Sequence, residues 1–133
     1  MIRIFFLTVF CLFTWSAVSI VDPVGTYDVV GQSPEDGSKY KGTVSIERYG
    51  QIYNVFWSIA GEELSGTGVG AAHANGETTF SAASSKDTAI SVAFQSDDQI
   101  GIAMFFKQKN GQWNGIWNYG ESNLIGSETW SPK

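Results

Sequence analysis

From about residue 20 onward the apolar side chains recur at every second position, and no helical period survives. Tyr53, Val55, Trp57 and Ile59 form one row, and Ile90, Val92 and Phe94 form another. Ile100, Ile102, Met104 and Phe106 make a third, and Trp113, Trp117 and Tyr119 a fourth. Successive strand residues point to opposite faces, so each row predicts a half-buried strand turned toward a common interior. Turn chemistry separates the rows. Ser33-Pro34-Glu35-Asp36-Gly37 combines a preset φ with a residue that accepts φ > 0, and Asn75-Gly76 and Asn110-Gly111 are hairpin dipeptides. Gly50, Gly61, Asp97-Asp98 and Gly120 mark further reversals. Nine extended segments result, at about 24–32, 39–48, 51–59, 63–72, 77–83, 88–96, 99–108, 112–119 and 123–130. The segment 77–83 is the weakest, with little beyond Phe80 to bury.

Glycines also sit inside these segments, at Gly42, Gly66, Gly68, Gly70, Gly101, Gly115 and Gly126. Glycine weakens a flat strand, so its use there points to sharp coiling or to close approach of a neighbour. A bulky residue, a spacer and then Gly recur in Tyr40-Lys41-Gly42, Leu64-Ser65-Gly66, Trp113-Asn114-Gly115 and Leu124-Ile125-Gly126. A meander of short hairpins with coiled strands closes most simply as an all-β, antiparallel up-and-down barrel of eight or nine strands. A membrane-spanning barrel would need an outward apolar band, and 39–48 instead offers Lys41, Thr43, Ser45 and Glu47 on one face.

The beginning of the chain follows a different rule. Arg3 precedes an apolar run at 4–13, and Ala17-Val18-Ser19 places small residues where an exporting peptidase cuts. Residues 1–19 are therefore expected to be a signal peptide cleaved near Ser19, with 20–133 a single exported domain, periplasmic or secreted. The alternative is an uncleaved anchor at 4–21. Cys11 is the only cysteine, so the exported domain would contain no disulfide, thiol nucleophile or thiolate metal site. The net charge of −5 disfavours nucleic acid and anionic lipid as partners. Most of the acids, Asp87 among them, read as a dispersed solubilising coat, with no alternating run of the calcium-loop kind.

Little in this chain suggests catalysis. His73 is the only histidine and falls at a turn, while Glu62-Glu63 and Asp97-Asp98 are adjacent pairs that would point to opposite faces. No catalytic residue, metal site or cofactor is expected. Glu128 stands apart because it alternates with Leu124, Gly126 and Trp130 on one strand face. Turned inward, it would need a partner, a proton or a ligand. Turned outward, it would mean little. Trp57, Trp117, Tyr119 and Glu128 are the candidate ligand-binding residues, with Tyr27 the expected partner of Glu128 once the last strand closes on the first. Aromatics of this kind equally fill a small barrel.

Several short motifs resemble a family of exported bacterial proteins commonly labelled fibronectin-binding. They are Gly25-Thr26-Tyr27, Tyr40-Lys41-Gly42-Thr43-Val44, Trp57-Ser58-Ile59, Gly66-Thr67-Gly68, Trp113-Asn114-Gly115-Ile116-Trp117 and Gly126-Ser127-Glu128-Thr129-Trp130. The resemblance spans about 24–130 and departs from the family pattern between Gly70 and Ile90. It implies a protein that binds an extracellular partner; the hairpin punctuation and in-strand glycines predict a barrel similar in layout to avidins and lipocalins, and the want of an activated nucleophile or metal site predicts a non-enzymatic one. Two alternatives stand beside it: a carrier of a small apolar or sugar-like ligand in the barrel mouth, and an inhibitor of a secreted protease acting through 20–24. The oligomeric state is left open.

Overall fold

The computed structural model describes residues 22–133, and within them the chain forms nine strands and no helix. They are β1 (Gly25–Gln32), β2 (Lys39–Tyr49), β3 (Ile52–Ile59), β4 (Glu62–Ala74), β5 (Glu77–Phe80), β6 (Ala89–Ser96), β7 (Gln99–Lys107), β8 (Trp113–Tyr119) and β9 (Gly126–Pro132). Every pairing is antiparallel. Eight of the strands close into an up-and-down barrel, sealed where β9 pairs with β1. The weak segment becomes β5, a four-residue strand on the far part of β4 and outside the closed ring. The predicted leader, its cleavage point and Ile20 and Val21 of the candidate inhibitory segment lie outside the described residues. Residues 22–24 are pinned to the barrel: Asp22 pairs with Arg48 at 2.8 Å, and the Pro23 carbonyl accepts the Tyr27 hydroxyl at 2.7 Å.

Antiparallel closure gives the barrel two unlike ends. The turns 33–38, 60–61, 97–98 and 120–125 form a mouth. Residues 22–24, the turn 50–51, the long loop 81–88 and the turn 108–112 form a base. The core fills the base: Trp113, Trp130, Tyr53, Phe105, Ile46 and Ile90 are fully buried. Phe105 stacks on Trp130 with ring centroids 3.7 Å apart, a contact worth about 1 kcal/mol beyond its burial.

The in-strand glycines are seats for rings from neighbouring strands. An added Cβ at Gly31 would lie 2.1 Å from the Tyr40 ring, at Gly101 2.1 Å from Phe94, and at Gly115 2.2 Å from Phe105. Each large side chain therefore lies flat over the next strand, and the small barrel accommodates its aromatics.

Two expectations need correction. Ile100, Ile102, Met104 and Phe106 do not face the interior; they are exposed on the outside, and Gly101, Ala103 and Phe105 face in. The inward positions of β7 are mostly small because Phe94 and Trp117 arrive from β6 and β8 to occupy that space. Asp87 is not part of a solvated coat. The loop 81–88 folds under the base and buries it completely. The outward apolar residues do not encircle the barrel, since β1 and β2 present Asp28, Lys39, Lys41 and Glu47. A lipid-facing belt is therefore missing on that side.

Candidate functional site

At the mouth the rings pack edge-on or tilted, and a cavity of about 310 Å³ remains between them. Its walls are aromatic and aliphatic: Tyr40 from β2, Trp57 and Ile59 from β3, Leu64 from β4, Phe94 from β6, Phe105 from β7 and Trp117 from β8. Ser33 and Ser38 stand at the rim, and Glu128 from β9 is the one charged side chain in the lining. The strand register explains how this residue reaches the interior. Glu128 lies between Gly31 of β1 and Gly115 of β8, and Gly31 is also the register partner of Tyr40. With no side chain at Gly31, the Tyr40 ring crosses β1 and reaches the carboxylate two strands away.

Three neutral donors hold Glu128. Tyr40 Oη donates to Oε2 at 2.6 Å, while Trp57 Nε1 at 2.8 Å and Trp130 Nε1 at 2.5 Å both donate to Oε1. No lysine or arginine lines the cavity. Burial pushes the Glu128 carboxyl above its usual range, and the three donors pull it only partly back. The Tyr40 hydroxyl is pushed well above the ordinary phenol range by burial and by the neighbouring carboxylate. Each carboxylate oxygen offers about two acceptor positions, so the donors leave roughly one free, on Oε2. Trp117 packs edge-on against Tyr40 and Phe94, and its indole N–H closes no hydrogen bond.

Of the four candidate residues, Trp57, Trp117 and Glu128 meet at this cavity. Tyr119 does not line it; it packs against Trp117 with centroids 5.7 Å apart and supports that ring from behind. Glu128 does point inward, with Trp130 beside it, but its partner is not Tyr27. Tyr27 lies opposite Pro132, near the base, and bonds the Pro23 carbonyl. Tyr40 is a site residue outside the four candidates. Its signal was the alternation of Tyr40 with Gly42 and Val44, which places it on the inward face at the mouth end.

A second tyrosine–carboxylate pair lies at the base, where the sequence offers no candidate site. Tyr53 Oη donates to Asp87 Oδ2 at 2.5 Å, and the Ser84 backbone N–H donates to the same oxygen at 3.0 Å. Gly70 makes room for it, since a Cβ there would lie 2.1 Å from Oδ2. This pair latches the loop 81–88 to β3. His73 is exposed with its ring against Thr78, and Glu62, Glu63, Asp97 and Asp98 are all exposed. Among the described residues no cluster of histidine, cysteine and carboxylates has metal-site geometry. No family model matches this chain, and no curated protein matches it significantly.

Proposed function

We propose that this protein is a non-enzymatic binding protein that takes a small, mostly apolar ligand in the barrel mouth. The observation that carries this reading is the cavity itself: rings pack the base shut, while comparable rings at the mouth pack edge-on or tilted and leave about 310 Å³ around a buried carboxylate. At roughly 30 Å³ per water in the liquid, that is room for about ten waters, or for one ring with a short substituent. Indole and phenol faces favour a ring-shaped or sugar-like body. Glu128 sets the polarity. Its free acceptor position suits a hydroxyl or an ammonium, and its charge rejects an anion. The absence of any lining base makes that rejection stronger.

Trp57 and Trp117 report on occupancy, so tryptophan fluorescence is the direct test. Benzyl alcohol, benzylamine and benzoate share one body and differ in the group that would meet Glu128. The alcohol and the amine are expected to perturb the emission saturably and benzoate is not. A silent response to all three, and to hydrophobic dyes and simple sugars, would remove the ligand reading.

A further inference from the structure

Outside the barrel, one face stands apart. The outward positions of β6, β7, β8 and β9 contain no charged residue, although the chain has 13 acidic and 8 basic side chains. In their place β7 raises a ridge of Ile102, Met104 and Phe106, exposed by 63%, 45% and 50%. Beside it β6 offers only Ala89, Ser91 and Ala93, so the surface sinks. Beyond β6, Val69 of β4 stands up again at 58% exposure. The register places Val69, Ser91, Met104 and Ile116 in one line across four strands. A hollow of about 580 Å³ runs over this strip and on past the ridge to Ile116 and Ile125, and a second hollow of about 310 Å³ continues it under Phe80.

We propose that this face is a self-association surface on which two copies of the chain join about a two-fold axis. A ridge and a groove of matching apolar character lie side by side and run parallel to each other. Such a surface is complementary to itself, as an isologous interface must be: the β7 ridge of one copy enters the β6 groove of the other, and the reverse contact forms at the same time. Charge selects the same partner. Two copies of a chain with net charge −5 repel over most of their surfaces, and this is where they can meet without bringing carboxylates together. With no charge of its own, the face has nothing to steer a charged foreign partner. Phe80, exposed by 81%, and Ile100, by 69%, extend the apolar surface beyond the ridge, toward the roughly 800 Å² that each partner gives to a standard interface. Patches of this size are unusual on monomers.

Sedimentation of the purified full chain across micromolar concentrations tests the proposal. The unaltered protein is expected to be a dimer. Met104→Lys, on the ridge, and Ser91→Trp, filling the groove, act from opposite sides of the same contact. Each is expected to weaken association by roughly a hundredfold, the cost of an unpaired buried charge or of a blocked groove. Both positions are outside the core, and near-ultraviolet circular dichroism will report whether the barrel is intact. Val30→Lys, an equally exposed apolar position on β1, should leave the dimer unchanged. A protein that stays monomeric throughout, a dimer that survives both ridge and groove variants, or a monomer that floats with phosphatidylcholine vesicles would each overturn the proposal.

Discussion

At each end of the barrel a tyrosine hydroxyl meets a buried carboxylate, yet the two pairs are built from different material. At the base, Asp87 comes from a loop and is held by Tyr53 and a backbone N–H, against a wall of packed rings. At the mouth, Glu128 comes from a strand and is held only by side chains, from β2, β3 and β9, beside open space. Backbone donors tie a carboxylate to the path of the chain, so the base pair serves as a latch. Side-chain donors fix a carboxylate in orientation without enclosing it, so the mouth pair leaves one acceptor position for something else. The same two functional groups serve stability in one place and recognition in the other, and what surrounds them decides which.

Removing the latch should have the largest effect on folding. Asp87→Ala removes the acceptor that Tyr53 Oη and the Ser84 N–H share, leaves those groups only each other and the Ser84 carbonyl, and loosens the loop 81–88. The expected cost is about 3 kcal/mol, from two hydrogen bonds to a charged group. For a domain of this size that is a fall in Tm of roughly 12 °C. Fluorescence response to benzyl alcohol should persist below the new midpoint. An unchanged Tm would deny the latch.

Gly31→Ala should act in the opposite proportion. Its methyl group would lie on the Tyr40 ring and push it away from Glu128. The stability cost expected from such overpacking is about 1–3 kcal/mol, and Glu128 loses one of its three donors. Affinity for the neutral probe should fall about tenfold, measured at a temperature where both proteins are fully folded. A full-affinity Gly31→Ala protein would detach the tyrosine from the site.

Glu128→Gln should have the smallest effect on stability and the clearest effect on pH dependence. Burial raises the folded-state value above the ordinary 4.5, so the native state holds the proton more tightly than the unfolded chain does. Stability linked to this group is complete below about 4.5 and falls as pH rises through the folded value. The glutamine variant lacks that decline. Thermal midpoints of the two proteins should therefore converge in acid and separate in favour of Gln toward neutrality, by about 1 kcal/mol or less. Benzoate should also begin to bind. Parallel pH profiles would mean that Glu128 does not titrate differently in the folded protein.

The sequence discloses the mouth better than the base. Alternation and hairpin dipeptides locate the strands because both are local properties, and Trp57, Trp117 and Glu128 follow from their positions in those rows. Hydrophobicity then misleads on β7, where the bulkier row, Ile102, Met104 and Phe106, faces outward. The rule that apolar residues go inside fails where the inside is furnished by rings from neighbouring strands and the outside is itself apolar. Asp87 is illegible for a different reason. Its burial depends on the loop 81–88 folding back on β3 and on the space above Gly70, and neither is encoded by nearby residues. The Tyr40–Glu128 contact joins residues 88 positions apart, and the closing register has to be known before it can be seen.

The seam between β1 and β9 also sets the molecule's orientation in space. Lys133 donates its backbone N–H to the Thr26 carbonyl, and Asp22 is paired with Arg48, so both ends of the described chain emerge at the base. Anything joined to either end, whether a membrane-held leader, a fused domain or an immobilising tag, would hold the barrel by its closed end. The mouth would then face outward like a cup on its stem, open to the surrounding fluid.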